Sequence, residues 1–295
     1  MKSNSPRYAL VTGAGGGIGR AICLRLARDG WHVAATDVDL EAALETARLV
    51  NEAGGTGRAD LLDIREPAAW ARLRERLQAD WPALDLLVNN AGVTAAGLFE
   101  RTTATTWNWV QEINLGGAIH GCRVMLPWLR QTSKLAVDPR RAYVMNVSSA
   151  AGVLAGPRQS AYNVSKAALV ALSETLQHEL RPHGVGVTAV CPWYLPTGLI
   201  GKGKFDRATE RGYVARVTRR SRLTVDEVAR QSLKATFRNR PVCVVGRPAK
   251  ALFLLKRLAP TFYAWIVGKM YERAGGPSRE EIVPVESGES SPIAA

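Results

Sequence analysis

Short apolar runs alternate with longer stretches of helical period along the first 250 residues. Tyr8 to Val11, His32 to Thr36, Leu84 to Val88, Ala142 to Val147, Val185 to Val190 and Val242 to Val245 are compact and rich in Val, Leu and Ala. Continuous runs of this kind are the mark of strands buried on both faces, as in a parallel sheet. Between them, Arg20 to Asp29, Leu40 to Ala53, Asp63 to Asp80, Thr105 to Arg130 and Ser160 to Leu180 bring apolar residues round every three or four positions, as helices covering such a sheet do. Gly54-Gly55-Thr56-Gly57 turns the chain into one more strand, ending near Asp60-Leu61. The alternation predicts an α/β fold: a doubly wound parallel sheet of about seven strands.

We expect this domain to span residues 1–248, with a basic, aromatic helical extension over 249–274. The extension is interrupted by Lys256, Arg257 and Pro260, too often to cross a bilayer. It suits a helical pair over a substrate cleft or at a subunit interface, or an element lying on a membrane surface. Residues 275–295 are rich in Gly, Pro, Ser and Glu and are expected to form a disordered tail.

The formal charge of +13 is unevenly placed. From Ile200 to Arg273 there are 18 Lys or Arg against five Asp or Glu, whereas the remainder balances at 21 of each. Such a segment is a solvated basic face or an attractor of acidic lipid or an acidic partner. No nucleic-acid module accompanies it, and no nucleic acid is expected. Cys23, Cys122, Cys191 and Cys243 lack metal-ligand or redox spacing, which points to a reducing compartment and no metal. The short polar start, Met1 to Arg7, carries no signal-peptide pattern, so a cytoplasmic protein is expected, with membrane association left open by the basic segment.

Three stretches carry chemistry. The first strand breaks into Thr12-Gly13-Ala14-Gly15-Gly16-Gly17-Ile18-Gly19 before a helix. Strand, glycine turn and helix together aim backbone N–H groups and a helix N-terminus at a phosphate. Asp37 ends the second strand, where a carboxylate accepts from an adenosine ribose and repels a 2′-phosphate, which favours NAD over NADP. Asp39 is the better-placed N-cap for the helix that follows. The second stretch is Ser148-Ser149, delivered at the carboxyl end of the strand from Ala142 to Val147, the ligand-binding edge of open α/β sheets. The third is Tyr162 and Lys166, four apart and so on one helix face. A fixed ammonium beside a phenol favours the phenolate and draws its pKa from about 10 toward neutrality. Asn114, among apolar neighbours in a predicted helix, needs partners, a kink or a bound water. At the same edge, Pro192-Trp193-Tyr194-Leu195-Pro196-Thr197 makes a stiff, bulky loop.

These pieces, in this order, resemble the short-chain dehydrogenase/reductase family in its compact single-domain form. The resemblance covers residues 6–248 and rests on Thr12-Gly13-x-x-x-Gly17-Ile18-Gly19, Asp60, Asn89-Asn90-Ala91-Gly92, Asn114, Ser149, Tyr162-x-x-x-Lys166, and Pro192 with Thr197. It implies that Tyr162 exchanges a proton with a carbonyl or alcohol, that Lys166 lowers the Tyr162 pKa and holds the nicotinamide ribose, and that Ser149 holds the substrate oxygen. It implies that Asn114 holds a water linked to Lys166. Asp37, Asp60 with Leu61, and Asn90 would line the adenosine half of the cofactor, and Thr197 would meet the nicotinamide carboxamide. One departure stands out: Trp193 occupies the place where the family usually has glycine. A Trp cannot copy a backbone that requires positive φ, so the loop is expected to take another course and to wall the pocket.

The resulting expectation is an NAD-dependent oxidoreductase interconverting a secondary alcohol and a ketone. Trp193, Tyr194 and the aromatic extension point to a bulky apolar substrate of steroid, terpenoid or fatty-chain type. A 3-oxoacyl reductase acting on carrier-bound acyl chains and a non-catalytic cofactor-sensing or scaffold protein are the alternatives. The resemblance further implies a homodimer or homotetramer joined through the Thr105 and Ser160 helices.

Overall fold

A computed structural model describes residues 6–134, 142–206, 211, 212, 215, 218, 219 and 221–273. The expected tail at 275–295 lies outside the described residues. Strands β1 (Tyr8–Thr12), β2 (His32–Asp37), β3 (Thr56–Leu61) and β4 (Leu86–Asn89) alternate with α1 (Gly17–Ala27), α2 (Leu40–Glu52) and α3 (Pro67–Asp80). A two-residue strand β5 (Ala95–Ala96) precedes α4 (Ala104–Gln111), a π-turn (Glu112–Gly116) and α5 (Gly117–Lys134). Next come β6 (Ala142–Val147), α6 (Ala150–Leu154), α7 (Ser160–Leu180), β7 (Val185–Pro192) and the short β8 (Lys204–Phe205), which pairs with β5. The chain continues through α8 (Val225–Phe237), β9 (Val242–Val245), α9 (Arg247–Leu258) and α10 (Pro260–Arg273).

Seven strands form one parallel sheet in the order β3-β2-β1-β4-β6-β7-β9. This is the doubly wound architecture that the alternation of runs predicts. Every strand is fed by a crossover, so all carboxyl ends lie along one edge. Connections leave β1 toward β2 on one side while β4 takes up the other, and the crevice for a ligand opens at this reversal.

Alternate residues of β1 feed two cores. Tyr8 and Leu10 join Trp70, Leu73, Met125 and Leu129 under α3 and α5. Ala9 and Val11 join Ile22, Leu26, Val228 and Leu233 under α1 and α8. A third cluster links Leu154, Cys191 and Val244 to Tyr263, with Trp193, Phe253 and Val267 packed against it. It seats α9 and α10 at the carboxyl edge, where the Lys256 Nζ donates to the Val153 carbonyl at 2.8 Å and the Tyr263 hydroxyl to Leu154 at 2.7 Å. Among the described residues, no helix is long and apolar enough to cross a membrane.

Two helices depart from the sequence pattern, and both departures shape the site. The helix predicted from Asp63 begins instead at Pro67, whose ring presets the first helical position and whose missing N–H is not needed there. Residues 63–66 are thereby released as a loop at the carboxyl edge. The helix predicted from Thr105 to Arg130 is continuous but contains one π-turn, with Asn114 at its centre.

One of the closest approaches in this framework is at Gly19, where a Cβ would stand 2.3 Å from the Gly13 carbonyl oxygen and 2.6 Å from the Asn90 amide nitrogen. Gly19→Ala must push the glycine turn and α1 apart. We expect a loss of about 1–3 kcal/mol, visible as a lowered thermal midpoint and weakened dinucleotide binding; an unchanged midpoint would contradict this packing.

Candidate active site

A cleft of about 1430 Å³ runs along the carboxyl edge from the glycine turn to α10. At one end α1 opens toward it. Its N-cap, Gly16, makes no side-chain cap hydrogen bond and has nothing within 4 Å of a Cβ position, while Gly17 has φ of +55°. The backbone N–H groups of this turn are therefore clear of side chains, as the pyrophosphate of a dinucleotide requires. Gly13, Gly17 and Ile18 line the cleft. Thr12 does not: it is buried, and its hydroxyl accepts from Asn90 N at 3.0 Å and Ala91 N at 3.1 Å. Gly19 also stays behind the cleft, allowing α1 to pack closely. Asn90 borders the cleft, but its amide donates to the Thr12 and Gly13 carbonyls, so it fastens the glycine turn to β4.

Asp37 also lines the cleft, at the end of β2. One of its oxygens accepts from Gly15 N at 2.9 Å and the other from Asp39 N at 3.1 Å. Each retains a lone pair for a ribose hydroxyl. Asp39, not Asp37, caps α2, accepting from Ala42 N at 3.1 Å.

Asp60 and Leu61 are not brought to the cleft. Asp60 is buried beneath Arg58 and Arg76, with ion-pair distances of 3.1 and 3.0 Å, and Leu61 is exposed; neither is among the residues lining the cleft. The cleft is instead bordered by Leu62, Asp63, Ile64 and Arg65. With α3 starting at Pro67, the chain crosses the carboxyl edge three residues later than the strand pattern suggests.

At the other end of the cleft, α7 presents Tyr162 and Lys166 on its buried face. Lys166 Nζ donates to the carbonyl of Val147, the last residue of β6, at 2.9 Å. Burial drives its pKa down to about 8. Ser149 caps α6 by accepting from Ala151 N at 3.1 Å, and lines the cleft with Tyr162. Burial raises the Tyr162 pKa, against the lowering influence of the nearby Ser149 side chain. The expected net lowering by Lys166 is therefore not found. The ammonium lies 5.9 Å from the ring centre, and desolvation, which acts on both groups, dominates. The phenol is held protonated at neutral pH.

Asn114 resolves its burial without leaving the helix. Its carbonyl oxygen accepts from Val93 N at 2.8 Å, and its nitrogen donates to Val93 O at 3.0 Å and to Ser165 Oγ at 3.1 Å. A Cβ at Gly92 would stand 3.0 Å from the Asn114 oxygen and 3.3 Å from Lys166 Nζ, so the glycine leaves open the space between them. In the sequence, Gly92 is visible only as the end of Asn89-Asn90-Ala91-Gly92, with no sign of this spacing task.

The loop after β7 does not swing away at Trp193. The Trp193 N–H donates to Val245 O at 2.9 Å, carrying the β7–β9 pairing one residue further, and its φ is not positive. Trp193 and Tyr194, in edge-to-face contact at 5.1 Å, both line the cleft. Thr197 borders it beside Gly17, its methyl 3.4 Å from a Cβ position there. The wall also includes Tyr263, Val267, Met270 and Tyr271 of α10. Among the described residues, no cluster of His, Cys, Asp and Glu could hold a metal ion.

A glycine turn open to a phosphate and a hydroxyl, phenol and ammonium group thus share one cleft. The model of the short chain dehydrogenase family matches residues 7–207, and the chain belongs to the short-chain dehydrogenase/reductase family. It is 32% identical over 258 residues to "Probable oxidoreductase EphD" of Mycobacterium tuberculosis, covering 85% of this chain but only 43% of that protein's length. It is 34% identical over 202 residues to a (3R)-3-hydroxyacyl-CoA dehydrogenase of Canis lupus familiaris, covering 66% of this chain and 76% of that protein. Among solved structures, a family member from Burkholderia phymatum in complex with NAD superposes with a TM-score of 0.80 at 29% identity, covering 87% of this chain and 95% of that one.

Asp60→Asn should leave dinucleotide affinity unchanged and lower stability by about 1–3 kcal/mol, the range for a buried carboxylate with partly exposed partners. Denaturant unfolding and cofactor titration of the same variant separate the two effects. A weakened cofactor affinity with unaltered stability would return Asp60 to the cleft.

Proposed function

We propose that the protein transfers hydride between NAD and a bulky, apolar secondary alcohol or its ketone. The observation that carries this reading is the placing of Tyr162 and buried Lys166 on one face of α7, beside Ser149, in a cleft continuous with the glycine turn. When bound, the nicotinamide accepts or supplies the hydride. Tyr162, protonated at neutral pH, donates its proton to the ketone oxygen in the reductive direction. Ser149 donates a hydrogen bond to that oxygen and holds it against the phenol. Lys166 holds the nicotinamide ribose and supplies positive charge next to the proton-transfer site. Asn114 places a water in the gap that Gly92 leaves, through which Lys166 exchanges protons with solvent.

On the cofactor side, Asp37 accepts from the adenosine ribose and repels a 2′-phosphate, while Asp63 and Ile64 flank the adenine. Gly13, Gly17 and Ile18 face the pyrophosphate, and Thr197 meets the carboxamide. Trp193, Tyr194 and the inner face of α10 form the substrate wall. The cleft exceeds the ~300–1,000 Å³ of ordinary small-molecule sites, which supports a large substrate of steroid, terpenoid or fatty-chain type in addition to the cofactor. Likeness to a protein named for hydroxyacyl-CoA makes an acyl thioester the second reading, including the carrier-bound 3-oxoacyl chains of a reductase. A cytoplasmic homodimer or homotetramer, joined through α4, α5 and α7, completes the proposal.

Purified Tyr162→Phe should bind NAD normally and lose at least about 10²-fold in turnover across a panel of secondary alcohols graded from small to steroid-sized. Unimpaired turnover would refute the proton-transfer role, and a preference for acyl thioesters over cyclic ketones would move the substrate to the second reading. For the cofactor, Asp37→Ala should raise kcat/KM with NADP relative to NAD by about tenfold or more, since it removes a like-charge repulsion. An unchanged ratio would show that Asp37 does not set the preference.

A further inference from the structure

α9 and α10 leave an apolar face outside the cleft. On α9, Leu254 and Leu258 lie one turn apart and are 58% and 77% exposed. On α10, Phe262 and Trp265 are 52% and 58% exposed and stack on each other at 5.8 Å. These four residues flank the joint between the helices, and Met270, 61% exposed, lies further along α10. Large side chains do not normally gather in water without a partner. The same two helices carry Arg247, Lys250, Lys256, Arg257, Lys269 and Arg273 against the single acid Glu272. Arg247, Arg257 and Arg273 are exposed.

We propose that this face docks on an anionic lipid surface. Leu258, Phe262 and Trp265 enter the boundary between headgroups and acyl chains, and the arginines meet the lipid phosphates. Charge decides between lipid and a second copy of the chain. A two-fold contact sets the same patch against itself, so the cations of one copy would meet those of the other with one acid per copy to offset them. An anionic membrane attracts every one of them. The face is also continuous with the cleft, because Met270 is exposed and lines it, and Val267 and Tyr271 line it from the same helix. On the reading that the substrate is apolar, the cleft then opens against lipid, where such a substrate is concentrated.

The test is sedimentation of the full chain, without substrate, with vesicles of phosphatidylcholine alone or of phosphatidylcholine and phosphatidylglycerol in equal parts. We expect binding to the mixed vesicles that weakens as salt is raised. The triple variant Leu258→Ser/Phe262→Ser/Trp265→Ser should bind at least about tenfold more weakly. Arg247→Gln/Arg257→Gln/Arg273→Gln should lose the dependence on phosphatidylglycerol. Normal NAD binding by each variant verifies that it is folded. Absence of sedimentation at low salt, or binding undiminished in the serine variant, overturns the proposal. So does a wild-type chain that ignores vesicles and forms an oligomer that the serine variant dissolves, for that makes the face an interface between copies. As no turnover is measured, this result stands apart from the identity of the reaction.

Discussion

A buried ammonium fixes the geometry on which the site depends. Lys166 is almost fully enclosed, and an unpaired charge in such a place costs several kcal/mol on the order expected for buried ions. Its hydrogen bond to the Val147 carbonyl offsets part of that cost and pins α7 to the last residue of β6. Ser148 reinforces the same junction, its hydroxyl donating to the Lys166 carbonyl at 2.8 Å. Once α7 is held there, Tyr162 must stand one turn earlier on the same face. Ser149, two residues beyond Val147, must stand beside it. A single junction between helix and strand thus places all three groups, and the parallel sheet puts that junction on the same edge as the glycine turn.

That dependence explains which parts of the site were legible in the sequence. The Tyr162–Lys166 spacing, the glycine turn and Ser149 at a strand end are local patterns, and the structure brings them to one cleft. Asp60 falls outside the cleft: strand periodicity marks where β3 runs but not where the chain borders the cleft. Only Pro67, which sets the start of α3, shows that the edge loop begins later. The signal was present in the sequence and was overridden by a helical pattern extended back to Asp63. Asn114 is the reverse case: its burial announces a need for partners, but these are the backbone of Val93 and the hydroxyl of Ser165 on another helix, which sequence spacing does not point to. The direction of the Tyr162 shift was misjudged for a related reason. Spacing reveals a neighbouring charge but says nothing of the desolvation acting on both groups.

Trp193 shows how a departure from a family pattern can be absorbed by packing. Its neighbour across the strand pairing is Val245, and the next residue, Gly246, has φ of +107°. A Cβ on Gly246 would stand 2.8 Å from the Trp193 Cβ, so a bulky residue on β7 is matched by a bare one after β9. The glycine expected at one position is thus found beside it in space, about fifty residues later in the chain. This exchange keeps the strand pairing and directs an indole into the cleft.

The substrate end of the cleft is consequently built from parts that the sheet does not dictate. Trp193 reaches it from β7, and α10 closes it from outside, held by Tyr263 to the end of α6 and by the hydrogen bond from Arg158 to the Tyr271 hydroxyl at 3.0 Å. The glycine-turn end has no such freedom, because the turn is buttressed by Thr12 on β1 and by Asn90 just beyond the adjacent β4. Changes in α9 and α10 can therefore reshape the cleft wall without disturbing Tyr162 and Lys166, since Lys166 takes its anchor from β6 and not from them. The placing of Tyr162 and Lys166 and the shape of the wall opposite them are set by different layers of the structure, and only the first is written in short motifs.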